Sequence, residues 1–151
     1  HKYQSYLRKY KFNSNLLYFI CVMWDGWGCR GSTTSFSSAA GGEHLWWIPN
    51  GDTPEEIVNH PALAGIELPR TGVPNRSGIL LTKTLLFRGE GPGGKPLLRA
   101  HDKASGDILA EIVLPRSQTG TPMTFMHLGK QYLVVAVSGE GSSELVALTL
   151  P

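Results

Sequence analysis

Cysteine is scarce in this chain. Cys21 and Cys29 are its only two, no histidine lies near them in sequence, and two thiols without histidine partners cannot build a structural zinc site. Their spacing leaves open whether they pair as a disulfide in an oxidising compartment. Long apolar runs are missing too. The longest, residues 16–24, has nine residues, against the roughly 20 that a helix needs to cross a bilayer. No segment carries a 3.6-residue apolar stripe longer than two turns, which argues against a helical bundle. No basic run interleaved with aromatics occurs in residues 42–151, so nucleic acid is not an expected partner. The metalloprotease helix motif and the Gly-x-Ser-x-Gly nucleophile elbow are both absent. A near match to a phosphate-binding loop, Gly89-Glu90-Gly91-Pro92-Gly93-Gly94-Lys95, fails on inspection. Pro96 stands where Ser or Thr must hold Mg2+, Pro92 removes a backbone donor from the cradle, and a strand pattern follows instead of a helix.

What is plentiful is turn-forming residues. Eighteen glycines and ten prolines in 151 residues, with 41% hydrophobic content, describe a globular chain of short strands joined by many turns. Charge is uneven. Residues 1–41 hold five basic residues and one acid, Asp25, whereas residues 42–151 hold nine basic and eleven acidic. In the head, Lys2, Arg8, Lys9 and Lys11 precede the apolar run 16–24, the outline of a signal peptide. No small-x-small cleavage site follows directly, so an irregular extension is the competing reading. The first residue is His1 rather than Met, which creates the expectation of a fragment or a processed product.

From residue 42 onward the pattern becomes that of an all-β chain. Strands are expected over 79–82 and 84–87 (two strands or one bent one), 97–101, 107–114, 122–127, 131–137 and 144–150. Leu128-Gly129-Lys130 is a natural hairpin turn, because glycine tolerates positive φ. Residues 54–76 read as a surface excursion with one short helix, Thr53 as N-cap and Pro54 at the first helical position. A weak internal repeat aligns Gly42-Glu43-His44-Leu45-Trp46 with Gly106-Asp107-Ile108-Leu109-Ala110.

The segment Ala100-His101-Asp102-Lys103-Ala104-Ser105-Gly106 resembles the tryptophan-docking motif of quinoprotein propellers, which bind pyrroloquinoline quinone (PQQ). That motif reads Ala-x-Asp-x-x-Thr/Ser-Gly, with Trp four residues after the glycine. Asp102 can accept from backbone N–H groups across the turn, and Gly106 supplies a conformation that Cβ would hinder. Ala110 departs from the pattern by standing at the Trp position. In the earlier copy Trp46 occupies it, but Ser38 stands where Asp belongs. Further segments resemble the family's inner hairpin (81–87), its last blade (120–136) and its ending (144–148). Asn50-Gly51-Asp52-Thr53-Pro54 and Asn59-His60-Pro61-Ala62-Leu63 are similar to its glucose dehydrogenase-like branch.

The resemblance implies an all-β fold: a partial β-propeller of about two four-stranded antiparallel blades, the last lacking one strand. Residues 42–151 would be the C-terminal blades and residues 1–41 an unmatched extension. In such rings the absent strand usually comes from the distant N-terminus. The implied parent is a PQQ-dependent dehydrogenase that oxidises a sugar or alcohol and passes electrons to a quinone or dye, using PQQ and Ca2+. It works in the periplasm or on a membrane facing it. Its partners would be the missing blades, the substrate and the quinone acceptor. The isolated chain would be inactive, and its open sheet edges would invite self-association. No metal ligand is expected within this stretch, and the catalytic base lies in upstream blades. The candidate cofactor-binding residues are Ser138, Gly139 and Glu140, where the family has a Gly-Gly-His-Gly loop, and Lys83, which can reach a PQQ carboxylate if its hairpin faces the axis. His60, His127 and Glu90 are weaker candidates. The competing functions are a non-catalytic propeller piece for binding or assembly, and a truncated product without function.

Overall fold

The computed structural model describes residues 33–37, 43–75 and 77–149. The apolar run 16–24, both cysteines and Ser38 lie outside them. The described strands form three antiparallel sheets. The first pairs β1 (Thr33–Ser37) with β2 (His44–Pro49), from Thr33 opposite Pro49 to Ser37 opposite His44. β1 thus carries the β-structure upstream of residue 42, where the propeller-like segment was expected to begin. No turn motif announces this strand in the sequence; its Thr33 and Thr34 are simply compatible with extended backbone.

The second sheet runs in the order β3 (Ile79–Leu81), β4 (Leu85–Gly89), β5 (Leu97–Asp102), β6 (Ile108–Val113). Residues 79–87 are two strands, not one bent strand. The Thr82 N–H donates to the Leu85 carbonyl at 2.8 Å, and the Thr82 hydroxyl accepts from the Leu85 N–H at 3.0 Å, which closes the hairpin. The third sheet holds β7 (Ser117–Gln118), β8 (Met123–His127), β9 (Lys130–Gly139) and β10 (Ser142–Thr149). β7 and β8 lie end to end along one edge of β9, and β10 lies along the other. Among the described residues the sheet is therefore three strands across, the width of a four-stranded blade lacking one strand. Its hairpins close through two-residue turns with left-handed backbone, Leu128 (φ 47) with Gly129 (φ 75) and Glu140 (φ 49) with Gly141 (φ 79).

Between β2 and β3 run one short helix, α1 (Glu55–Val58), and a 3-10 turn (Pro61–Leu63). The expected cap is displaced by one residue. Pro54, at ψ 142, is the N-cap and makes no side-chain cap bond. Its carbonyl accepts the first helical bonds, from the N–H groups of Ile57 at 2.9 Å and Val58 at 3.1 Å. Thr53 falls outside the helix, and its hydroxyl accepts from the Thr71 N–H at 3.1 Å across the excursion.

The two faces of the central sheet are chemically different. Alternation along β4, β5 and β6 sends Leu85, Phe87, Leu98, Ala100 and Ala110 to one face, where they form the apolar core with Leu114, just after β6, and Val135 and Val137 from the third sheet. The other face carries Leu86, Arg88, Arg99, His101 and Glu111. Arg88 on that face meets β1: its Nη1 donates to Thr34 Oγ1, and its Nε donates to Ser77 Oγ at 3.2 Å.

The same β1–β2 pair is held at its other end by Trp46. The Trp46 Nε1–H donates to the Lys103 carbonyl at 2.9 Å, and the ring lies over Gly106. A Cβ on Gly106 would come within 2.8 Å of Trp46 Cδ2, and Gly106 has φ +82. Asp102 shapes the turn by accepting from the N–H groups of Ala104 at 2.7 Å and Ser105 at 3.1 Å. The docking motif and the tryptophan of the earlier copy therefore meet across two sheets. Gly106→Ala combines left-handed strain with overpacking against the ring, an expected loss of about 2–4 kcal/mol. It should appear as a lower urea midpoint with an unchanged slope; a native midpoint would show that the Trp46 contact contributes little.

Candidate functional site

Three of the four expected cofactor-binding residues come together. Ser138 and Gly139 end β9, and Glu140 sits at the exposed tip of the β9–β10 turn. Beside them, a Cβ on Gly139 would lie 3.5 Å from Arg116 Cδ, and the Arg116 guanidinium pairs with Glu144. Lys83 is placed elsewhere. It lies exposed in the β3–β4 turn, next to the β5–β6 turn, since the Lys103 N–H donates to the Thr84 carbonyl at 2.9 Å. The opposite end of the central sheet is the one that meets the Ser138 turn. There Gln118, paired with Val137 of β9, accepts from the Gly89 N–H at 2.6 Å and donates to the Gly78 carbonyl at 2.7 Å. The length of β4 thus separates Lys83 from Ser138, Gly139 and Glu140.

His60 caps the 3-10 turn, with its Nδ1 accepting from the Ala62 N–H at 3.2 Å. His127 is an exposed hairpin residue tilted against Tyr132, whose ring stacks on Phe125 at 5.2 Å between centroids. Among the described residues, no group of three or more His, Cys, Asp or Glu side chains is arranged to hold a metal ion.

Glu90 is a different case. It was a weak candidate in a glycine-rich loop, yet its side chain is only 1% exposed. Arg99 Nη2 lies 2.6 Å from Glu90 Oε1, and Arg99 Nε lies 2.6 Å from Glu111 Oε1. Glu90 Oε2 accepts from the Lys95 N–H at 2.6 Å, and Lys95 Nζ reaches Asp52 at 2.5 Å. Gly51 and Gly94 leave room for the carboxylate: a Cβ on Gly94 would lie 2.5 Å from Glu90 Cβ, and one on Gly51 3.2 Å from Glu90 Oε2. The result is a clamp that ties residues 89–96 to the 50–53 segment at the same end of the sheets as the Ser138 turn. Burial works against the Arg99 charge, but the bonds to Glu111 and Glu90 outweigh it and hold its pKa above the ordinary value. The bond from Lys95 keeps the Asp52 carboxyl below its ordinary value. Burial brings Arg88 down to about 10, which leaves it charged at neutral pH.

Sequence reasoning missed Arg88 and Arg99 altogether. The signal was a single arginine inside each of two apolar strands, Leu85-Leu86-Phe87-Arg88-Gly89 and Leu97-Leu98-Arg99-Ala100-His101. A buried strand that keeps a cation must provide it with partners.

PQQ carries three carboxyl groups and calls for cations and hydrogen-bond donors. Glu140 brings a negative charge to its turn, Arg116 is engaged by Glu144, and Lys83 is at the far end. The described residues do not by themselves make a holder for PQQ or for Ca2+.

Stacked antiparallel sheets locked by a tryptophan on a neighbouring turn define a β-propeller architecture. The chain belongs to the PQQ glucose/ethanol/alcohol dehydrogenase family, whose β-propeller domain model matches residues 32–133. No curated protein matches the sequence. Among solved structures the chain is similar to the quinohemoprotein alcohol dehydrogenase from Comamonas testosteroni, with 17% identity, a TM-score of 0.56 and 80% of this chain covered. The chain spans only 16% of that structure's length, and at this identity the likeness shows the fold alone.

The clamp carries a stability consequence. Glu90→Gln removes one charge from a buried pair while Glu111 still holds Arg99. The expected loss is about 3 kcal/mol, the low end for breaking a buried ion pair. Urea unfolding at neutral pH measures it, and an unchanged midpoint would mean that the clamp is neutral.

Proposed function

We propose that this chain is a segment of a quinoprotein dehydrogenase of the glucose dehydrogenase-like branch, acting within a complete propeller. That enzyme oxidises a sugar or alcohol with PQQ and Ca2+ and hands the electrons to a quinone, or to a dye in an assay. It is periplasmic, or membrane-associated on the periplasmic side. PQQ accepts the two electrons, while the protein binds and orients it. The family match over residues 32–133 carries this reading, and the Trp46 contact on the Asp102–Gly106 turn supports it. The Ser138-Gly139-Glu140 turn is this segment's contribution to the cofactor end of the ring; Lys83, on the opposite end, is left out of that role.

The isolated chain is proposed to be inactive, because its described residues offer no complete cofactor holder. One observation favours an assembly role alongside this. Among the described residues β10 pairs on one side only, and Leu145 on it is 74% exposed. The partners that suit such an edge are further strands of the same propeller or, in the isolated chain, other copies of itself.

With PQQ and Ca2+ added, the pure chain should reduce no dye with glucose or ethanol. A propeller completed with the remaining blades should do so, and only with PQQ present. Sustained substrate-dependent reduction by the chain alone would overturn the proposal that catalysis needs further blades.

A further inference from the structure

His101 stands at a junction that the proposed chemistry does not use. It follows Arg99 by two residues on β5, so both side chains point to the face that meets the β1–β2 pair. It is 4% exposed. Its Nδ1 lies 3.0 Å from the Gly106 carbonyl, the glycine over which the Trp46 ring sits. A carbonyl only accepts, so Nδ1 carries the proton in that bond, and a second proton would go to Nε2 inside the junction.

The surroundings are poorly suited to that second proton. Arg99 on the same strand and Arg88 on β4 are buried cations, and Arg70 of the excursion adds a third positive charge. The nearby carboxylates among the described residues are engaged: Glu90 and Glu111 pair with Arg99, Asp102 accepts from Ala104 and Ser105, and Asp107 accepts from the Ser105 hydroxyl at 2.7 Å. Lys103, in the same turn, is a further cation. At the start of β2, Glu43 and His44 are exposed.

We propose that His101 is an acid-sensitive latch: taking up its second proton loosens the docking of Trp46, and with it the β1–β2 pair, from the β5–β6 turn. Burial, only partly offset by the bond to Gly106, and then the arginine charges hold its pKa below the ordinary value. The unfolded chain therefore binds the proton more readily than the folded one. Stability is intact above the ordinary histidine value of about 6.5 and declines as the pH falls below it.

The test follows the Trp46 indole N–H by NMR in the full chain, assigned by its disappearance in Trp46→Phe, from about pH 8 to about pH 5. The native indole signal should be lost in step with the titration of the His101 ring protons, with a midpoint below about 6.5. In His101→Gln, which keeps a donor for Gly106 but cannot gain charge, the signal should remain native throughout. A Trp46 signal that stays native while His101 titrates overturns the proposal, as does equal acid sensitivity in the Gln variant. Should His101→Gln fail to fold, the two midpoints of the unaltered chain decide: coincidence supports the latch, and separation overturns it.

Discussion

The packing of Trp46 on the Asp102–Gly106 turn is the contact on which the relation between the first two sheets depends. A two-stranded ribbon has too little surface to be stable alone. β1–β2 gains its place by inserting one large ring where a neighbouring backbone has no Cβ, and by giving the indole N–H a carbonyl to bond. The turn that receives the ring is built locally. Asp102 gathers two backbone N–H groups, and the left-handed Gly106 bares the surface the ring needs. Local turn chemistry and long-range packing thus support the same geometry.

The central sheet mediates between two different kinds of neighbour. Toward the third sheet it offers a dry face of Leu, Phe and Ala, where burial of apolar area drives association. Toward β1–β2 it offers arginines, a histidine and a glutamate, where each buried polar group must be bonded to be tolerated. The second interface depends more strictly on geometry. Arg88 is accommodated because Thr34 and Ser77 accept from it, and Arg99 because two carboxylates hold it at 2.6 Å. Such an interface contributes specificity of placement more than raw stability.

The third sheet ends the described stack with a one-sided strand. Register places Met123, Phe125 and Leu145 on the face turned away from the core, at 53%, 41% and 74% exposure. An apolar sheet face with an open edge is the ordinary state of one repeat seen without its neighbour. It accords with a chain that spans 16% of the length of the propeller enzyme it resembles in fold.

The strands after residue 78 other than the two-residue β7, their hairpin turns and the docking motif were legible in the sequence. Each is a local pattern: period-two alternation bounded by Gly and Pro, a Leu128-Gly129 turn, an Asp followed four residues later by Gly. The family, too, was legible, because it is written in those motifs. Strand β1 was not, since Thr33 to Ser37 become a strand only through pairing with β2. The burial of Glu90 was hidden by its glycine-rich loop, which reads as flexible until Arg99 arrives from another strand. Nor could sequence separate Lys83 from Glu140, because which end of a sheet a turn occupies follows from strand order. Sequence alone determined most of the elements, those whose causes lie within a few residues. Tertiary structure decided which charges are buried and which turns share an end, for those depend on partners tens of residues away.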